Sequence, residues 1–260
     1  MGSPIALESF LRRPGLAVLA GIVGTVVLCW LYLVAASLDM YGRMDGLAAW
    51  MMHGTWDGRY FTLIFLMWSV MMTGMMLPSA APTILHYSAA VRNGSQPRRP
   101  VLRSYAFAGG YLLVWTGFSL AATLLQWRLA EAALLSPMME SASPVFAAVL
   151  LIAAGAYQWT PLKRACLGEC RSPMEHLSLH WSPGVGGALR MGVKHGLACL
   201  GCCWALMLLL FVGGVMSLLW IAGITLFVLL EKLVPFGAWS RRVSGLVLAA
   251  GGVWLLVTAT

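Results

Sequence analysis

Residues 195–207 read His195-Gly-Leu-Ala-Cys199-Leu-Gly-Cys202-Cys203-Trp204-Ala-Leu-Met207. Each residue of an α-helix advances by about 100°, so relative to His195 the thiols fall at about +40° (Cys199), about −20° (Cys202) and about +80° (Cys203). One imidazole and three thiols therefore share a helix face. Thiolate and imidazole are ligands for zinc and for cuprous copper. Buried cysteine also serves as a small hydrophobe, which is how we read the solitary Cys29; three thiols beside a histidine point to metal.

A second run of soft donors is Met67-Trp-Ser-Val-Met71-Met72-Thr-Gly-Met75-Met76-Leu-Pro78, continuing to Pro82 and His86. Met67, Met71 and Met75 form one helical stripe, Met72 and Met76 the next. Thioethers favour Cu(I), although methionine is also an ordinary core filler. Pro78 and Pro82 interrupt the helical ladder and free carbonyls, which a membrane tolerates where protein covers them or they line a cavity. The third run is Cys166-Leu-Gly-Glu-Cys170-Arg-Ser-Pro, followed by His176 and His180. Its i,i+4 spacings are not those of a zinc finger. We expect a polar cytoplasmic loop with readily labelled thiols that bind metal, exchange electrons or are incidental. Asp39, Met40, Met44, Met51, Met52, His53 and Asp57 belong to a segment that either collects metal or lies amphipathically on the membrane.

The elements that position these residues must be membrane helices. The chain is 60% hydrophobic and 10% charged, against about 25% charged in a soluble domain, and its mean hydropathy is +0.82. The expected fold is all-α, a polytopic transmembrane bundle of about seven spans, or six, in a single membrane domain of 260 residues. The spans fall near 16–36, 61–86, 105–127, 144–161, 192–216, 218–234 and 243–259. Between the fifth and sixth, Gly213–Ser217 must turn tightly unless the two form one long or re-entrant segment. The first span follows Arg12-Arg13 and resembles a signal sequence, but its apolar run is longer than the 7–15 residues of a signal core, so we read it as retained.

Charge gives the orientation. With a cytoplasmic N-terminus, 14 of the 17 basic residues fall inside: Arg12, Arg13, Arg92, Arg98, Arg99, Arg103, Lys163, Arg164, Arg171, Arg190, Lys194, Lys232, Arg241 and Arg242. That sorting follows the positive-inside rule and predicts N-in, C-out. Basic residues scattered between apolar runs do not make a nucleic-acid-binding stripe, so the net charge of +8 speaks for a bilayer partner. At a rise of about 1.5 Å per residue, Met75 lies about 16 Å and Cys202 about 15 Å below the same membrane face, so the methionines and thiols can meet. His86, His195 and Glu231 lie near that face, where Glu231-Lys232 reads equally as an interfacial ion pair or as part of an ion relay.

Three segments carry a resemblance: Met71-Met72-Thr-Gly-Met75-Met76-Leu-Pro78, Leu162-Lys-Arg-Ala-Cys166-Leu-Gly-Glu-Cys170-Arg-Ser-Pro173, and His195 to Met207 with its three cysteines. Glu231-Lys232 followed by Pro235 also fits. From the second span onward the chain resembles a bacterial family of predicted metal-binding integral membrane proteins of unknown function. The resemblance implies metal binding in a bacterial cytoplasmic membrane and names neither metal nor task. The residues themselves favour copper over zinc because methionine accompanies cysteine, with His195, Cys199, Cys202, Cys203, Met71, Met75, Cys166 and Cys170 as candidate ligands. Transport or delivery of Cu(I) is the first function class, with a metal chaperone or a larger membrane complex as partner. A transmembrane thiol–disulfide carrier using Cys199, Cys202 and Cys203 is the second, and an accessory or assembly subunit the third. No hydrolytic or nucleotide-binding motif points to an enzyme.

Overall fold

The computed structural model describes residues 14–42, 46, 56–93, 99–136, 139–234 and 237–259. The outer-segment residues Met44, Met51, Met52 and His53 lie outside these, as does Pro235, and the His176 side chain is likewise not described. The elements are α1 (Pro14–Tyr41), α2 (Gly58–Asn93), α3 (Pro100–Glu131), α4 (Pro144–Gln158), α5 (Pro161–Arg171), α6 (Pro173–His180), α7 (Gly184–Met207), α8 (Leu210–Gly213), α9 (Leu218–Leu233) and α10 (Gly237–Thr258). No strand occurs among the described residues, and the bundle is helical as the sequence predicts.

The polarity pattern is that of a protein solvated by lipid. Many large apolar side chains point outward, Leu219 at 83% exposure among them, while Lys163 is at 0%, a pattern compatible with lipid around the bundle. By length and hydropathy, α1, α2, α3, the α7–α8 stretch and α10 can each cross a membrane, and the α4–α5 pair makes a sixth crossing if its 66° bend lies within one span. Helix α9, with 16 residues, is about 24 Å long and falls short of the roughly 20 residues of a full crossing. The sixth expected span, 218–234, is therefore a short helix. It reverses out of α8 through Gly214, whose φ of +92° is open to glycine and strained for other residues.

Local chemistry explains the bend. Thr160 caps α5 by accepting from the Lys163 amide, and Pro161 occupies the first helical turn, where its missing N–H costs nothing. The expected polar loop after the fourth span is instead this helix, which packs on α7 and takes Cys166 and Cys170 into the bundle. The correction has a physical cause: the segment is amphipathic, with Lys163, Leu167 and Cys170 buried on one side. In α2, Pro78 removes the amide that would bond the Gly74 carbonyl, and the Trp30 indole of α1 donates to that carbonyl at 3.2 Å.

Helices α3 and α7 meet backbone to backbone. A side chain at Gly192 would collide with the Phe107 carbonyl of α3, whereas one at Gly109 would meet nothing within 4 Å. Small residues at such crossings allow the close approach that drives helix association in lipid. Gly192→Val should therefore destabilise the bundle by about 1–3 kcal/mol, seen as a lower thermal midpoint in detergent. Gly109→Ala, at an open helical position, should hold or slightly raise the midpoint; equal behaviour of the two would contradict the crossing.

Candidate metal centre

The α7 thiols are buried at 0–1% exposure, and His195 at 2%. They share a helix face, but each meets a different neighbour. The Cys199 sulfur lies 3.0 Å from the Tyr111 hydroxyl of α3 and accepts from the Lys232 ammonium of α9 at 2.8 Å. The Cys202 sulfur lies 4.0 Å from that of Cys170 on α5. The Cys203 sulfur lies 4.0 Å from the thioether of Met76 on α2. Four helices around α7 thus each bring one group to the thiols.

Both Cys202 and Cys203 donate their S–H to the Cys199 carbonyl, at 3.0 and 2.9 Å. In this arrangement they do not converge: no group of three His, Cys, Asp or Glu donors stands at metal-binding spacing among the described residues. The nearest approach to a shared site is Cys170 with Cys202. With metal–thiolate bonds of roughly 2.3 Å, two sulfurs 4.0 Å apart can hold one ion at an angle of about 120°. A third donor requires Cys199 or Cys203 to leave its present hydrogen bond by a side-chain rotation.

Helix α5 reaches this centre because α7 is bare at Gly201. A Cβ there would stand 2.6 Å from the Cys166 sulfur, and Tyr157 of α4 donates to the Gly201 carbonyl. Cys166 is half-buried and Cys170 buried. Met71 and Met75 are wholly buried in the core, but the thioether placed against a thiol is that of Met76. The His195 ring lies between the aromatic rings of Phe107 and Tyr111, with centroids 6.0 and 5.7 Å away.

The charged residues are paired differently from the sequence reading. Glu231 does not pair with its neighbour Lys232. Its carboxylate accepts from Lys163 of α5 at 2.8 Å, with both side chains almost fully buried, while Arg171 donates to its backbone carbonyl at 2.9 Å. Lys232, one residue on, points about 100° away around the helix and donates to Cys199 and to Ser79 at 3.0 Å. Neither lysine lies in a solvated loop. Lys232, Lys163, Tyr111 and Met76 are the site residues that motif spacing missed. For Lys232 the signal was an ionisable group inside an apolar span, which marks importance without naming a partner.

The family model described as PpoB2, a copper chaperone, matches residues 65–255 of this chain. No curated protein and no solved structure matches it. The matched region runs from α2 to the last turns of α10 and includes every residue of the centre described above.

The buried pair supplies a test of the site's scaffold. Lys163→Met leaves the Glu231 carboxylate buried without its cation, a loss of about 3–5 kcal/mol. Lys163→Met combined with Glu231→Leu should recover much of that loss, because no charge is then stranded. Unfolding midpoints of the two proteins in detergent compare them directly. If the double variant is no more stable than the single one, the pair is not coupled.

Proposed function

The chain belongs to the copper chaperone family described as PpoB2, and on that premise we propose that it carries Cu(I) on sulfur inside a membrane bundle and delivers it to a partner protein. The membrane in this reading is the bacterial cytoplasmic membrane. The observation that carries the proposal is that soft donors from three separate helices meet in two neighbouring pairs on α7, Cys170 with Cys202 and Met76 with Cys203. Thiolate and thioether together select the cuprous ion over zinc. Borderline zinc prefers four closed ligands from cysteine and histidine, which the described residues do not assemble.

The chain's own groups divide the work. Cys170 and Cys202 are the first pair of ligands, and Cys199 and Cys203 exchange onto the ion as their hydrogen bonds open. Met76 offers a neutral sulfur on the α2 side, with Met72, Met75 and Met71 behind it as successive soft positions along that helix. Lys232 supplies a fixed positive charge beside the thiols. Such a site offers an ion several exchangeable soft donors, which suits transfer better than storage.

Cu(I) competition against a strong chelator tests the assignment. Cys202→Ser and Cys170→Ser should each weaken binding at least about tenfold, or about 1.4 kcal/mol, and Met76→Leu should weaken it less. Wild-type affinity in both serine variants would remove the central site from the proposal.

One observation favours a second reading, thiol–disulfide electron transfer: the sulfurs of Cys170 and Cys202 are near neighbours and both free. An electron carrier must cycle through a disulfide, whereas a copper carrier keeps its ligands reduced. Acid-quenched cells labelled with a maleimide should show Cys170 and Cys202 predominantly reduced, with labelling increased by a copper chelator. A large oxidised fraction that responds to the supply of reductant would favour the electron carrier.

A further inference from the structure

Away from the thiols, where α4 meets α5 and the first turns of α10, a cavity of about 370 Å³ is lined by Gln158, Trp159, Pro161, Arg164, Arg241 and Arg242. Three guanidinium groups face one space. The carboxylate that acts on Arg241 is that of Glu231, already engaged by Lys163, so the cations are left in excess. Gln158, the last residue of α4, is 1% exposed, yet neither its amide nitrogen nor its amide oxygen has a hydrogen-bond partner. A buried amide without partners is costly and uncommon. Here it lies on the wall of a cavity rich in cations.

We propose that this cavity binds a phosphate anion at the membrane surface, held by Arg164, Arg241 and Arg242 and by the Gln158 amide. The planar guanidinium fork matches phosphate oxygens two at a time. The Gln158 N–H donates to a phosphate oxygen, and its carbonyl is free to accept from a hydroxyl or ammonium carried by the same ligand. The first turn of α5, beginning at Pro161, adds the positive end of an 11-residue helix to the same space. Two sources carry this chemistry: the headgroup of an anionic phospholipid and free phosphate. The surroundings suit a lipid, since Trp159 on the cavity wall is half exposed and Leu162, next in the chain to Pro161, is 58% exposed. Basic pockets between membrane helices are recognised places for anionic headgroups.

The test titrates detergent-purified full-length protein by calorimetry with short-chain phosphatidylglycerol, short-chain phosphatidylcholine and inorganic phosphate. The site predicts binding of at least one phosphate anion, weakened at least about tenfold in Arg241→Gln/Arg242→Gln. Gln158→Glu is nearly isosteric and places a carboxylate among the arginines, so it should fold and still abolish binding. Arg92→Gln, at an exposed arginine on α2, should bind as wild type. Binding of phosphatidylglycerol without inorganic phosphate identifies the lipid headgroup as the source; comparable binding of inorganic phosphate identifies the free anion. If wild type binds neither, or if the cavity variants bind as wild type does, the site is overturned.

Discussion

Two ammonium groups inside an apolar bundle decide how its second half is assembled. Lys163 and Lys232 sit at 0% and 7% exposure, where an unpaired charge is prohibitive. Lys163 finds Glu231, which ties α5 to α9, and Lys232 finds Cys199 and Ser79, which ties α9 to α7 and α2. Adjacent residues of one helix face different ways, so α9 serves as the strut between the two pairs. Once α5 is held by Lys163, Cys170 lies seven residues on, two turns along the same face, and arrives at Cys202. The thiol centre thus depends on a salt bridge that contains none of its ligands. Buried pairs of this kind seldom add net stability over a well-packed apolar core; here the pair sets which helices meet and in what register.

The remaining contacts make that register tight. The α3–α7 crossing at Gly192 brings Tyr111 to Cys199, and the same hydroxyl donates to the Met76 carbonyl at 3.0 Å. Tyr111 therefore joins the α2 methionine helix to the α7 thiol helix at the level where Met76 meets Cys203. Side-chain donors near the α2 prolines matter for the same reason. Trp30 on the Gly74 carbonyl satisfies the acceptor that Pro78 frees within α2.

Much of this was legible because the signals were periodic or compositional. The apolar runs gave the helices, and the spacing of Cys199, Cys202 and Cys203 put three thiols on one face. Helical rise alone placed the methionines and thiols at one depth. What could not be read were contacts between residues far apart in the chain. Cys166 and Cys170 were assigned to a loop because their segment is polar; a short amphipathic helix lying back on its neighbour has the same composition. For Glu231 and Lys232 an ion pair and an ion relay read equally, and the pair fails because neighbours on a helix point about 100° apart and do not face each other. Met76 could not be preferred over Met75, since which stripe faces α7 is a matter of packing and not of periodicity.

Charge balance connects this architecture to the proposed cargo. A low-dielectric interior penalises net charge far more than it penalises paired charge. A cuprous ion held by two thiolates carries one net negative charge, and the ammonium of Lys232, beside Cys199, brings the assembly to zero. Further coordination by Met76 adds a donor without adding charge. A divalent ion on the same two thiolates would leave the site one charge positive, and a third thiolate would be needed to restore neutrality. That thiolate would have to come from Cys203, now donating its S–H to the Cys199 carbonyl, or from Cys199 at the expense of its bond to Lys232. Ligand softness and the fixed lysine therefore favour the same monovalent ion.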